Sequence, residues 1–389
     1  MALIVQKYGG SSLATPRHIQ RAAARIQGVC DTGDQVVVVA SAMGRMTDHL
    51  IVLANKTVKH PPQRELDMLM TAGERVSMAL LAMALHERGV AAISFTGSQS
   101  GILTTSTHTD ARIVEIRANR IREELEKKKV VIVAGFQGVS REKEITTLGR
   151  GGSDTSAVAL AATLGADRCD ILTDVDGLFT ADPRLVPNAK LIRLCTYDEA
   201  LELASLGAKM HARSIEVAKR FKVKVRIASS ANSDCAGTEL VLNREETMES
   251  TQIRGIATKD GYTYFRCAML PQTLLDALEV QGIPLRFFHF AEGKVCFLAD
   301  KERVAQVKRL LETQNVIFEE IPKVAILSVV GEGITGSADV LPRLYRALKD
   351  CGVESLLAVC NSHSFTVAIS SQSLESAAQR IHLEFLEKS

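Results

Sequence analysis

Lysine, glycine, serine and aspartate recur here in short polar clusters, each set directly after an apolar run. The densest cluster lies in Thr146–Arg184, TTLGRGGSDTSAVALAATLGADRCDILTDVDGLFTADPR. Gly149, Arg150, Gly151, Gly152, Ser153 and Asp154 precede an alanine-rich run from Ala157 to Leu164. Strong helix formers without proline predict a helix there, and the polar residues before it mark its N-terminus. A helix N-terminus presents unpaired N–H groups and partial positive charge, so it attracts anions, phosphate above all. Glycines let the backbone approach a ligand closely. The six residues GRGGSD by themselves fit an ordinary flexible turn equally well. A second cluster, KYGGSS at Lys7–Ser12, follows the apolar run Leu3–Gln6. Its lysine precedes the glycines, the reverse of the P-loop order. From a strand end the ammonium can still reach a terminal phosphate, and a compact charge suits the charge that builds up in phosphoryl transfer. A tight turn with a surface lysine is the plainer alternative. Glu74 and Arg75 interrupt TAGERVSMALLAMAL near its start. They are either a surface ion pair worth little or a grip on a zwitterion, and the residues leave both open.

The elements that must position these clusters alternate. Gln35–Ala40 (QVVVVA) and Val130–Ala134 (VVIVA) are continuous β-branched runs, the pattern of central parallel strands buried on both faces. The first ends in SAMGRMTD, Ser41–Asp48, and the second in GFQGVS; Ala91–Phe95 leads to TGSQSGILTT. Helices are expected from about Pro16, over Arg64–Arg88, over Ile113–Lys128 and over Tyr197–Phe221, the last broken near Leu206-Gly207-Ala208. Cys169–Thr173 is a short strand and Lys222–Ala228 an alternating one. Strand, glycine and hydroxyl loop, helix, repeated, predicts an α/β fold. A mainly parallel sheet is covered on both faces, with ligands at the strand C-termini. The charged stretch Asn243–Gln252 reads as a domain boundary.

Beyond it the pattern changes. Tyr262–Met269, a helix from Pro271, strands Leu285–Ala291 and Val295–Ala299 about a Glu292-Gly293 hairpin, a helix over Arg303–Glu312 and a strand over Val316–Ile321 spell βαββαβ. A second pass runs from Val324 through a helix over Ala338–Cys351, two strands and a helix from Leu374. It lacks its last strand, which Ile253–Thr258 can supply. The tail is therefore two ferredoxin-like units, one inserted in the other, suited to binding or pairing rather than chemistry.

Bulk properties narrow the class. The 389 residues suffice for two or three domains, and 46% hydrophobic content supports packed cores. Aromatics are 4% with no Trp, and the net charge is +2 with Lys and Arg dispersed, which argues against a nucleic-acid partner. None of the eight cysteines forms a Cys-x-x-Cys pair, so reduced thiols are expected rather than disulfides or a zinc site, and no metal-ligand set stands out. Met1 leads straight into a strand, without a signal peptide, and no apolar run approaches a membrane span; a cytoplasmic enzyme with no membrane partner is expected.

With QKYGGSS, VVVVASAMG, TAGER, SFTGSQSGILTT, VAGFQGVS, TTLGRGGSD, DVDGLFTADPR and LGAKMHARSIEVA in view and in order, the chain resembles the aspartate kinases of the amino acid kinase family. The likeness covers the first ~245 residues almost without gaps and the tail in arrangement. It implies a three-layer αβα kinase domain over 1–245, a first ACT-like unit over 261–321, and a second from 252–260 and 322–389. It implies transfer of the ATP γ-phosphoryl to the β-carboxylate of L-aspartate, giving 4-phospho-L-aspartate, the first step toward lysine, threonine, methionine and diaminopimelate. Mg²⁺ would ride mainly on the nucleotide. By position, Lys7 would stabilise charge on the transferring group and Asp154 would orient Lys7. Tyr8, Gly9, Gly10 and Ser41 would line the phosphates, and Lys209 would hold them. Thr173, Asp174, the stretch Phe179 to Arg184 with Asp182, and Met210 would frame the nucleotide. Thr47, Glu74 and Arg150 would grip aspartate, Glu74 its ammonium and Arg150 its α-carboxylate, beside Gly151, Gly152, Ser153 and Asp154.

The tail departs from the family's pattern. AMLPQTLLDAL and VESLLAVCNS lack most of the Asn/Asp effector set, though Gly331 and Gly333 are present. The tail is accordingly expected to pair chains into a homodimer or higher homo-oligomer through side-by-side sheets, rather than to answer lysine or threonine. The rivals are a kinase of another small carboxylate and a non-catalytic amino-acid-binding relative.

Overall fold

A computed structural model describes residues 1–206, 210–242, 252–291 and 293–388. Two compact units emerge, one from Met1–Leu178 with Leu191–Glu245, the other from Phe179–Lys190 with Glu246–Ser389.

In the first unit the elements are β1 (Leu3–Tyr8), α1 (Pro16–Asp31), β2 (Gln35–Ala40), α2 (Met46–Thr57), α3 (Gln63–Met70), α4 (Ala72–Glu87), β3 (Ala92–Phe95), β4 (Ile102–Thr104), β5 (Ile113–Ile116), α5 (Asn119–Glu126), β6 (Val130–Ala134), β7 (Gln137–Ser140), β8 (Ile145–Thr147), α6 (Gly152–Leu164), β9 (Arg168–Thr173), β10 (Leu194–Thr196), α7 (Tyr197–Ser205), α8 (Ala212–Phe221), β11 (Val225–Ser229) and β12 (Thr238–Val241). Among the described residues the main sheet runs β10-β12-β11-β9-β1-β2-β6-β3. The six strands from β11 to β3 in that order are mutually parallel, and β12 turns back antiparallel to β11. β2 and β6 are buried at nearly every position because helices cover both faces. α1 and α4 pack Ile19, Ala23, Ile26, Leu81 and Leu85 against Val36, Val38 and Ile132. α6 covers the other face over β1, β2 and β9. Thr15 caps α1 by accepting from the His18 amide, with Pro16 at the first helical position, as the sequence suggests.

Local departures are instructive. Ile113–Lys128 is not one helix: Ile113–Ile116 forms β5, paired antiparallel with β4, and α5 begins only at Asn119. The β-branched IVEI satisfies its backbone on a neighbouring strand. β4, β5, β7 and β8 make a second small sheet, order β5-β4-β7-β8, with β4 and β7 where glycine loops were expected. Gln63–Glu87 is long and apolar enough by composition to cross a membrane, contrary to the expectation, but half of its apolar window is buried in this fold. It breaks into two helices at Thr71, whose hydroxyl donates to the Met68 carbonyl. The expected break at Gly207-Ala208 and the boundary stretch 243–251 lie outside the described residues.

In the second unit β13 (Gln252–Cys267), α9 (Gln272–Val280), β14 (Arg286–Ala291), β15 (Lys294–Asp300), α10 (Val304–Thr313), β16 (Phe318–Glu332), α11 (Val340–Asp350), β17 (Leu357–Asn361), β18 (Ser364–Ser370) and α12 (Leu374–His382) build one sheet, order β14-β15-β13-β16-β18-β17. β13 and β16 are long because each serves both βαββαβ repeats. The first half of β13 pairs with Ile326–Glu332, with Gly255 opposite Val330 and Thr258 opposite Leu327, and so supplies the second repeat's missing strand. Each repeat has its own core, Phe265, Leu274, Phe297 and Leu311 in one, Leu327, Leu344, Val367 and Ile381 in the other. Gly293 turns the β14–β15 hairpin with φ +74°; Glu292 lies outside the described residues.

Phe179–Lys190, read from the sequence as part of the first domain, belongs to this second unit. Ala181 and Val186 are buried in its core. Thr180 accepts from the Ile256 amide through its carbonyl at 2.7 Å, and its hydroxyl meets His382 Nε2 at 2.9 Å. Apolar side chains inside a polar loop, not the loop's position in the chain, decide where it packs.

Candidate active site of the first unit

Parallel pairing puts the strand C-termini at one edge. Tyr8 sits beside Ala40 and Leu172, Ala40 beside Ala134, and Leu172 beside Ala228. The loops that follow β1, β2, β6 and β9 therefore open on the same edge. The first, after β1, folds back on the second: the Ser41 amide donates to the Tyr8 carbonyl at 3.1 Å and the Gly44 amide to the Gly10 carbonyl at 2.9 Å. A Cβ on Gly10 would lie 2.8 Å from the Gly44 carbonyl oxygen, so glycine is required for the two loops to nest. Gly9 is held by its amide on the Leu172 carbonyl at 3.2 Å. Lys7, near the end of β1, turns its ammonium to Asp154 Oδ1 at 2.6 Å, with the two side chains only 12% and 9% exposed. Asp154 stands in the first turn of α6, so cation, carboxylate and helix N-terminus form one cluster.

The turn that starts α6 is built on two left-handed glycines, Gly149 at φ +73° and Gly151 at +70°. His211 fills the space over Gly151, where a Cβ would come within 2.2 Å of the imidazole. Gly152 packs against Leu148 and Phe136, and Ser153 lies over Gly135 at the end of β6. Arg150, between the two left-handed glycines, is exposed.

Glu74 is the buried carboxylate of the set. It sits in the first turn of α4, is 3% exposed, and accepts from the Ala42 amide at 3.2 Å through Oε1. Its Oε2 has no hydrogen-bond partner among the described residues. Burial raises its pKa from 4.5 to about 7, against the opposing pull of the amide hydrogen bond. The surface ion-pair alternative with Arg75 does not fit a side chain this deep. Ser41 and Thr47 are half-buried on the adjoining loop and at the start of α2. Ser77 ties that loop to α4 by donating to the Ser41 carbonyl at 2.7 Å.

Thr173 ends β9, and its hydroxyl donates to Asp174 at 3.0 Å. Met210 is buried just ahead of α8. Phe179, Asp182 and Arg184 fall in the second unit, where Arg184 pairs with Asp182 at 2.6 Å. Lys209 lies outside the described residues. Two residues went unnoticed in the sequence. Asp67, fully buried, accepts from Thr147 Oγ1 at 2.6 Å, the Thr109 amide at 3.1 Å and His108 Nδ1 at 2.8 Å. Arg213 is the other. A lone carboxylate in the apolar-spaced run LDMLM was the available signal for Asp67.

The Amino acid kinase family profile matches residues 2–229. An aspartokinase from Corynebacterium glutamicum is 42% identical, covering 99% of this chain and 96% of its own. One from Geobacillus stearothermophilus is also 42% identical, at 99% and 97% coverage. This chain belongs to the aspartokinases of the amino acid kinase family. In fold it also matches the crystal structure of E. coli aspartokinase III in complex with aspartate and ADP, at TM-score 0.81 and 24% identity over 98% of this chain and 99% of that one. Aspartokinase architecture, a kinase unit followed by ACT-like repeats, thus accounts for the two units.

Proposed function

We infer that this chain transfers the γ-phosphoryl group of ATP to the β-carboxylate of L-aspartate, giving 4-phospho-L-aspartate. The observation that carries the chemistry is the Lys7–Asp154 pair at the N-terminus of α6, on the edge where the glycine loops meet. The acceptor carboxylate is ionised at neutral pH, so no general base is required. The barrier is repulsion between that carboxylate and a polyanionic nucleotide. Lys7 supplies a compact cation where charge develops, Asp154 fixes its ammonium, and the amides of the glycine loops and α6 add partial positive charge. Asp154 also keeps Lys7 from swinging into solvent.

For the acceptor, Glu74 takes the ammonium, since its inner oxygen is buried without a partner and a bound cation would satisfy it. Arg150 takes the α-carboxylate through its planar fork, and Thr47, Gly151, Gly152 and Ser153 complete the cradle. Within the first unit Tyr8, Gly9, Gly10, Ser41, Thr173, Asp174 and Met210 frame the nucleotide. Magnesium keeps several waters and binds phosphate oxygens readily. An ion carried mainly by the nucleotide needs few ligands from the protein. Its charge would further offset the anionic phosphates.

The product is an acyl phosphate suited to a reductive step, which fits the route to lysine, threonine, methionine and diaminopimelate. The described cysteines are all free, in keeping with the cytoplasm. The edge strand β14 exposes Phe288 and Phe290, which suits pairing of two chains through the ACT-like units. Trapping with hydroxylamine tests the reaction. Aspartyl hydroxamate should form only with ATP and L-aspartate together. Hydroxamate from glutamate in preference, or none from any acceptor, would move the chain to another carboxylate kinase or a non-catalytic relative.

A further inference from the structure

Arg213, in the first turn of α8, has no place in the roles above. Its guanidinium joins two backbone carbonyls and one carboxylate. Nη1 donates to the Leu148 carbonyl at 2.7 Å and to Asp110 Oδ1 at 3.1 Å, while Nη2 donates to the Ala111 carbonyl at 3.0 Å. We propose that Arg213 is a positioning residue for the L-aspartate site, fixing the Leu148–Gly152 turn and through it the direction of Arg150. The proposal deepens the assignment of Arg150 above and rests on it.

Arg150 sits between Gly149 and Gly151, both in the left-handed region. Glycine is the residue least able to hold a backbone path by itself, so the path must be imposed from outside. Three supports impose it. Asp67 grips Thr147 and Thr109 on one side, and Ala111 donates its amide to the Thr147 carbonyl at 2.9 Å. His211 closes over Gly151, and its carbonyl accepts from Ser214 Oγ at 2.6 Å, which locks it to α8. Arg213 then holds the carbonyl of Leu148, two residues before Arg150, and does so with a rigid planar fork. That fork sets angle as well as distance, which a lysine cannot do. The side chain is 20% exposed, whereas its acidic partner Asp110 is 68% exposed, so the two buried carbonyls rather than the ion pair define its place. A substrate carboxylate held by two parallel N–H groups is sensitive to a small tilt of the arginine that holds it, and acceptor binding should register this before phosphoryl transfer does.

Steady-state kinetics of the full chain separate the possibilities. Arg213→Met should raise KM for L-aspartate about tenfold, leaving kcat and KM for ATP within about twofold. Arg213→Lys keeps a cation but not the fork, and should raise KM for L-aspartate about threefold; it carries the test if the methionine variant does not fold. In an Arg150→Ala background, Arg213→Met should add less than about twofold, because the two act through one contact. Unchanged KM for L-aspartate in both Arg213 variants overturns the proposal. So does a parallel loss of kcat and of both KM values, the mark of a general brace, or full additivity with Arg150→Ala. If Arg150→Ala itself leaves KM for L-aspartate unchanged, the Arg150 assignment fails and takes this proposal with it. A raised KM in Arg150→Ala with normal Arg213 variants sinks only the present one.

Discussion

Burial lifts Glu74 to about 7, while a lysine and a helix N-terminus share its sheet edge. The sign of the consequence follows from proton counting. Below its ordinary value of 4.5 the group is protonated folded and unfolded alike. Between that value and about 7 the folded chain keeps a proton the unfolded chain has released, so stability of the ligand-free protein falls as pH rises across this window. The slope is at most about 1.4 kcal/mol per pH unit, and Glu74→Gln should abolish it in urea melts taken at pH 5 to 8. A pH dependence that is the same in both proteins would contradict the burial argument. Binding an ammonium needs the ionised form, so kcat/KM for L-aspartate should drop about tenfold per unit below pH ~7, and the limb should vanish in Glu74→Gln. Arg150→Lys keeps the charge and loses the fork. It is expected to raise KM for L-aspartate about tenfold with little change in that for ATP, and equal KM values would remove Arg150 from the acceptor site.

The turn into α6 shows what an element demands of single residues. Gly151 is left-handed and has His211 where a Cβ would go. Gly151→Ala should cost about 2–4 kcal/mol from backbone strain and overpacking, read as a lower midpoint in chemical denaturation. A neutral substitution would mean that His211 moves freely aside. Much of this unit was legible in the sequence. QVVVVA and VVIVA read as buried parallel strands, and parallel strands bring their C-terminal loops to one edge, so Lys7 and Ser41 were predictable neighbours. The small sheet was not legible, because strands of three or four residues inside glycine loops carry no period. Ile113, Ile116, Ile121 and Leu125 fall close to helical spacing, which hid β5. Arg213 left no trace either, since its partners are backbone carbonyls 65 and 102 residues upstream. The depth of Glu74 depends on α4 meeting the Ala42 loop, which no local window contains.

At the scale of the chain, two units with separate cores divide the work, and Phe179–Lys190 is held by the second although it interrupts the sequence of the first. Leu344, fully buried among the side chains of the second unit, should cost about 2–5 kcal/mol when cut to alanine. Calorimetry should show that loss in the transition of the second unit, with Leu160→Ala weakening the first; identical thermograms for the two variants would deny separate cores. Phosphoryl transfer here turns on the edge cluster neutralising the meeting of two anions. Its most direct test is kcat of Lys7→Ala at saturating ATP and L-aspartate, in protein whose melting temperature matches the parent. Loss of the ammonium should remove about 3–4 kcal/mol of transition-state stabilisation, a fall of roughly two to three orders of magnitude in kcat. Turnover within a few-fold of the parent would contradict the account.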